Sequence, residues 1–310
     1  MEKLQIDVIV PTKNRPVLTS QAIDSVLAQT HSDLRVLVVD DGSSEDVHES
    51  LQEAASRDSR VHVIRCRSSV GPQAARQVGY DASSAEYIAT LDSDDLWMPR
   101  KLETQLEVFR SATAGSLGAV ISWHMWTKHG APVRINRPRV EGNARPLLTD
   151  NMSSPLIRRE ALAAAGGFVP SQSHQLLPGS EHIEFWIRLH KHCAVAVVEE
   201  VLVECRADSE RRESDTLRMR ESADALAMVA RMHAEYLADY PSDYSALLAR
   251  TGARYLNTGY RREAISWFVR AIAVGSMVDA GKTFTRYAPL GLRSIAKALA
   301  GEVRLPHHKP

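Results

Sequence analysis

The chain has 310 residues, 44% hydrophobic and 25% charged, with 38 basic residues offset by 38 acidic ones. That length holds one large domain or two ordinary ones, the composition is that of a soluble globular protein, and zero net charge excludes both a basic field for nucleic acid and an acidic tail. Cys66, Cys193 and Cys205 are far apart and lack metal-ligand spacing, so they read as reduced thiols of a cytoplasmic protein; no apolar run reaches the roughly 18 residues of a membrane span, and the charged start leading straight into a strand does not read as a signal peptide.

Residues 4–124 alternate between strand and helix patterns. Leu4–Val10 reads as a strand stopped by Pro11, and Pro16 suits the first turn of a helix, where a missing N–H costs nothing. Leu18, Ala22, Ile23, Val26 and Leu27 make that helix's apolar stripe. Leu34–Val39 is a second strand, followed by a polar helix around Ser44–Ser56 and a short strand at Val61–Cys66. Gly71 opens a helix, Glu86–Leu91 is a fourth strand, Pro99 starts another helix, and Leu117–Trp123 is a fifth strand. Such repetition implies a doubly wound, mostly parallel sheet with helices on both faces, and ligands of these sheets bind beyond the carboxyl ends of the strands.

Residues 125–180 look irregular, apart from a short helix at Arg159–Ala165 ending at Gly166-Gly167. A helix starts near Glu181, and Ala194–Val203 reads as a strand or pair of strands. From about Ser214 the helical period takes over. This divides the chain into an α/β domain over residues 1–210 and a helical region over 211–310. Gly252, Tyr255, Ala264, Phe268 and Ala271 sit at the offsets of one tetratricopeptide-type helix–turn–helix unit, a protein-binding module or a helical appendage that completes the fold. Leu290–Leu305 mixes apolar residues with Arg293, Lys297 and Arg304, which suits either an anionic membrane surface or a packed terminal helix.

The chemistry is concentrated at strand ends. Pro11-Thr12-Lys13-Asn14-Arg15-Pro16 offers a hydroxyl and loop amides to a base or ribose, or is an ordinary turn with Asn14 as a cap. In Asp40-Asp41-Gly42-Ser43 one carboxylate can accept from a pyrimidine ring N–H. The other caps the next helix or binds ligand, with Gly42 permitting the tight turn. Arg76, near the helix opened by Gly71, suits an anionic ligand or pairs with an aspartate. Asp92-Ser93-Asp94-Asp95 ends an apolar run in three carboxylates. Such a cluster is costly unless a cation or hydrogen-bond donors sit among the acids, and Asp-x-Asp here suits Mg²⁺ or Mn²⁺. Asp40, Asp92 and Asp94 are expected to converge around that ion. Ser180-Glu181-His182 opens a helix with either a stabilised first-turn charge or a general base.

In order, Val8–Asn14, Ile23–Thr30, Val38–Ser43, Gly71–Gly79, Leu91–Asp95, Leu156–Leu162, Gly166–Phe168 and Ser180–Leu189 resemble the family 2 glycosyltransferases of the GT-A fold, across roughly residues 5–206. The resemblance implies a nucleotide-sugar donor, most often UDP-linked, a divalent metal and inversion at the anomeric carbon. It makes Thr12 and Asp40 base contacts, Arg76 a nucleotide-side contact, Asp92 the ribose- and metal-side acid and Asp94 the principal metal ligand. Pro11, Asn14, Asp41 and Ser93 complete the donor set. Glu181 becomes the base, with His182 as its substitute where many relatives carry a second acid. A carbohydrate or lipid-linked acceptor follows, in polysaccharide synthesis, with a protein partner or the membrane surface as possible contacts of the helical region. A catalytically inactive nucleotide-sugar-binding subunit is the competing reading. A nucleotidyltransferase would carry a Gly-rich basic loop after the first strand, and Thr12–Pro16 contains no glycine.

Overall fold

The structure, a computed structural model, describes residues 6–112, 117–138, 151–169, 180–207, 219–275 and 280. Two compact units are present: Met1–Val140 with Thr149–His174 and Phe185–Glu210, and Glu141–Leu148 with Gln175–Glu184 and Arg211–Pro310.

The first unit is built on one sheet. Its strands are β1 (Ile6–Thr12), β2 (Leu34–Asp40), β3 (Val61–Arg65), β4 (Tyr87–Thr90), β5 (Asp95–Trp97), β6 (Leu117–Lys128), β7 (Ala131–Asn136), β8 (Leu156–Arg158) and β9 (Ala194–Arg206). They lie in the order β3-β2-β1-β4-β8-β6-β9-β5, with β7 hairpinned onto β6. β1 to β4 are mutually parallel, β6 and β9 run the same way, and β5, β7 and β8 run against them. Alternation along the strands supplies two cores. Ile6, Val8, Val10, Val36 and Val38 pack with α1 (Pro16–Leu27) and α4 (Lys101–Ser111) on one face. Ile9, Val39, Ile88 and Ile121 pack on the other with α3 (Pro72–Asp81), α5 (Arg159–Ala164) and the Phe185–Leu189 turns of α6 (Glu181–His192). α2 (Glu45–Ala55) follows β2.

Several boundaries differ from the sequence reading. Pro11 does not stop β1 but lies inside it, opposite Val39. The β1–β4 ladder ends at Ile9↔Thr90 and is closed by the Leu91 N–H on the Ile9 carbonyl (3.0 Å), so the strand runs on past β4, where a proline nitrogen is not asked to donate. Residues 125–136 are not irregular: β6 continues to Lys128 and turns through His129 (φ 50°) and Gly130 (φ 75°) into β7. Two successive left-handed residues are the signature of a two-residue hairpin turn. The three-residue strands β5 and β8 are too short to leave a periodic signal.

Gly79 lets α3 lie close on the sheet, since a Cβ there would sit 2.5 Å from Ile9 Cγ2 and 3.2 Å from Val39 Cγ2. Lys101 is fully buried under the site, its Nζ 2.8 Å from Gln105 Oε1 and 3.9 Å from the Trp97 ring centroid. Gln105 Nε2 in turn donates to the Val120 and Ser154 carbonyls, both at 2.8 Å. No disulfide links the three cysteines.

In the second unit α7 (Met219–Met232) and α10 (Arg261–Val274) both pack on α9 (Pro241–Asn257), with the short α8 (Ala234–Ala238) between α7 and α9 in sequence. A Cβ on Gly252 would meet the Ala264 carbonyl oxygen and the Phe268 ring at 3.1 Å. The small residue of the tetratricopeptide pattern therefore stands where α9 and α10 touch. Leu290–Leu305 lies outside the described residues.

Gly79→Ala is expected to lower stability by about 1–3 kcal/mol through overpacking, despite the better helix propensity of alanine, as read from the urea midpoint. An unchanged midpoint contradicts the close approach. Desolvation holds the Lys101 ammonium pKa well below its usual 10.5. With a depressed folded value the unfolded chain binds the extra proton, so this group's contribution improves as pH rises toward 10.5. Wild type should therefore gain stability relative to Lys101→Met between about pH 7 and about pH 10. A difference that does not change with pH contradicts a desolvated Lys101 amine.

Candidate active site

The parallel register delivers the acids. Thr12 pairs with Asp40 at the ends of β1 and β2, and the Asp41 N–H donates to the Thr12 carbonyl (2.8 Å). β4 ends one strand over and hands the chain to Asp92-Ser93-Asp94-Asp95, a turn in which the Asp95 N–H donates to the Asp92 carbonyl (3.0 Å). All five aspartates thus lie at the carboxyl edge of neighbouring strands, as the alternating pattern implied.

Each acid has a dedicated partner. Asp40 is fully buried, its Oδ1 accepting from the Ser43 N–H (2.9 Å) and its Oδ2 lying 2.8 Å from His48 Nδ1, with Arg65 Nε at 3.9 Å. Asp41 accepts from the amides of Val70 (2.6 Å) and Gly71 (3.0 Å) and from Ser69 Oγ (2.9 Å). It therefore pins the loop before α3 instead of capping α2, whose N-cap, Ser44, forms no side-chain cap bond. Gly42 (φ 71°) makes this possible, because a Cβ would lie 2.7 Å from the Ser69 nitrogen.

Asp92 pairs with Arg76, whose other nitrogen donates to Gln73 Oε1 (2.7 Å). Asp94 Oδ2 receives Arg15 Nη1 at 3.1 Å, and its main-chain carbonyl receives Arg206 Nε at 2.6 Å. Asp95 accepts from Ser153 Oγ (2.6 Å), which itself receives the Asp92 N–H (3.0 Å). Ser93 is buried in the turn between them. Hydrogen bonds to charged groups typically contribute about 1.5–3 kcal/mol each, enough to offset clustering of like charges at this edge.

The nucleotide-side loop is laced as well. The Asn14 N–H donates to Ser43 Oγ (2.9 Å), and Asn14 Oδ1 accepts the Ser44 N–H (3.1 Å), with Asn14 itself left-handed (φ 55°). Asn14 does not cap α1, where Arg15 is the N-cap residue. Thr19 Oγ1 gives its proton to the Arg15 carbonyl (2.7 Å), so Thr12 donates across the 2.6 Å contact between the two hydroxyls. That leaves the Thr12 oxygen as an acceptor. Pro11 is buried in the strand beside it.

Arg15, His48, Ser153 and Arg206 are members of this edge that sequence reasoning did not assign. Arg15 stands inside a motif already singled out, whereas Ser153 and Arg206 come from distant segments with no spacing to betray them. Asp40 does not join Asp92 and Asp94 as expected: among the described residues no group of three His, Cys, Asp or Glu side chains could hold a metal ion. Asp92 and Asp94 still offer hard carboxylate oxygens at the edge, Asp92 with its side chain 35% exposed. Two carboxylates suit Mg²⁺ or Mn²⁺, which complete their shells with phosphate and water oxygens. Glu181 and His182 form the first turn of α6 and belong to the second unit. On β6, His124 is buried and Trp123 carries the Arg137 guanidinium 5.2 Å from its ring centroid.

The fold is shared with solved glycosyltransferases. Residues 1–349 of Staphylococcus aureus TarS, in complex with UDP-GlcNAc, superpose with a TM-score of 0.63 at 16% identity, covering 96% of this chain and 88% of that one. A mannosyltransferase from Pyrobaculum calidifontis, in complex with GDP-Man and Mn²⁺, gives 0.56 at 18% identity, covering 97% and 86%. At such identities the likeness establishes the GT-A type α/β fold alone. An uncharacterised glycosyltransferase from Nostoc is 35% identical over 158 residues, 50% of this chain and 46% of that protein. An Escherichia coli UDP-Glc:alpha-D-GlcNAc-diphosphoundecaprenol beta-1,3-glucosyltransferase is 34% identical over 108 residues, 35% of this chain and 42% of that protein. The chain thus matches less than half the length of these curated relatives. The model of glycosyl transferase family 2 matches residues 7–161, half of the chain, and the chain belongs to that family.

Proposed function

We propose that this chain transfers a sugar from a UDP-linked donor to a hydroxyl of a carbohydrate or lipid-linked acceptor, in the cytoplasm, with inversion at the anomeric carbon. The observation that carries the reading is the placement of Thr12, Asp40, Arg76, Asp92 and Asp94 along one carboxyl edge of the sheet, each braced by its own partner. Family membership and relatives named for UDP-sugars and lipid-linked acceptors support it.

The Thr12 hydroxyl oxygen and the Asp40–Ser43 turn receive the base. Arg76, buried beside Asp92, faces the nucleotide's negative charge while fixing that carboxylate. Asp92 and Asp94 would hold Mn²⁺ or Mg²⁺, which would supply positive charge to offset that of the leaving diphosphate. Glu181, or His182 in its place, takes the acceptor proton, an assistance that typically contributes about 10²–10⁴-fold in rate. The helical unit is assigned to the acceptor or to a protein partner rather than to the donor.

Asp94→Asn should nearly abolish sugar transfer and its response to Mn²⁺, measured as UDP release across a panel of nucleotide sugars. Wild-type release in that variant contradicts the metal assignment. Glu181→Gln should lose about 10²-fold or more in kcat while UDP affinity stays at the wild-type level in calorimetry. If Glu181→Gln turns over normally and His182→Asn does not, the proton acceptor is His182.

A further inference from the structure

We propose that Arg15 is a resident counter-ion which yields Asp94 to a divalent cation when the donor arrives, and then serves the donor's diphosphate. The inference rests on the donor-site reading above. Two carboxylates, two residues apart, each meet a guanidinium from a different element: Asp92 meets Arg76 and Asp94 meets Arg15.

The two pairs are built differently. Arg76 is 6% exposed, stands on α3 and is braced by Gln73. Arg15 is 26% exposed and is carried by the turn between β1 and α1. Its main chain is held, since its carbonyl receives both the Thr19 N–H (3.0 Å) and the Thr19 hydroxyl (2.7 Å), and Asn14 before it is tied to Ser43 and Ser44. The main chain of the loop is therefore held independently of the Arg15–Asp94 contact. Asp94 does not depend on Arg15 for its position: Arg206 holds its carbonyl, and the next residue pairs with Cys205 of β9.

A divalent cation on Asp94 repels a guanidinium on the same carboxylate. A diphosphate beside that cation attracts the guanidinium, whose planar fork matches phosphate oxygens. Exchange of Asp94 between the two cations thus couples metal binding to nucleotide binding, which is reciprocal by linkage.

The test is calorimetry of the full chain with MnCl₂ alone, then with UDP at saturating Mn²⁺, for wild type, Arg15→Gln and Arg15→Lys. Arg15→Gln is expected to bind Mn²⁺ alone about three- to tenfold more tightly than wild type, because the competing charge is gone. It should bind UDP about tenfold more weakly, because the phosphate fork is gone. Arg15→Lys keeps a charge without the fork and should fall between the two on both axes, which carries the test should the glutamine variant fail to fold. Wild-type affinities in the variants, or weaker Mn²⁺ binding by Arg15→Gln, overturn the inference. Wild type that binds neither Mn²⁺ nor UDP removes the donor-site reading and this inference together, whereas wild-type binding with unaltered variants removes this inference alone.

Discussion

Five carboxylates at one sheet edge set the terms for everything around them. Asp40, Asp41, Asp94 and Asp95 are buried, and Asp92 is partly so. Such a cluster persists only because every acid is answered from a neighbouring segment. His48 and a backbone amide answer Asp40, two amides and Ser69 answer Asp41, Arg76 answers Asp92, Arg15 answers Asp94, and Ser153 answers Asp95. Burying a charge costs far less when it is paired and hydrogen-bonded. The Asn14 bonds to Ser43 and Ser44 tie the β1–α1 and β2–α2 connections together, and the Asp41 bonds tie the latter to the β3–α3 connection.

Support for this edge extends down into the core. Ser153 reaches Asp95 from a segment whose own carbonyls are fixed by Trp97 Nε1 (2.7 Å, on Ser153) and by Gln105 (2.8 Å, on Ser154). Gln105 also holds the buried Lys101 amine, which has the Trp97 ring over it. A chain of contacts thus runs from the α4 core, through residues 151–154, to the Asp92–Asp95 turn.

Much of this was legible beforehand because its physics is local. Apolar runs bounded by Pro, Gly and Asp marked β1, β2 and β4, and the carboxylates lie beyond their carboxyl ends, where the alternating pattern put them. Pro16 at the start of α1 and Gly42 at its left-handed turn followed from single-residue stereochemistry, and Gly252 entered as one offset of the tetratricopeptide pattern. What escaped depended on partners distant in sequence. Asp41 read as a helix cap or a ligand contact; it does not cap α2 but holds the loop before α3, because its neighbours at Ser69–Gly71 arrive from β3. Asp40, expected to converge with Asp92 and Asp94 around a metal-bound diphosphate, pairs with His48, one turn into α2. Pro11 looked like a stop, yet β1 outlasts its partner β4 and so tolerates a proline. No window of sequence contains Ser153 or Arg206 beside Asp95 and Asp94.

The account stands on Asp94 as the group that receives a divalent cation beside a bound nucleotide. Manganese anomalous scattering from crystals of the full chain grown with UDP measures this directly. A peak in coordination contact with the Asp94 carboxylate, next to density for the diphosphate, is the predicted result. A manganese peak away from Asp94 with UDP in place, or UDP bound anywhere but the edge formed by Thr12, Arg76 and Asp92, would contradict it.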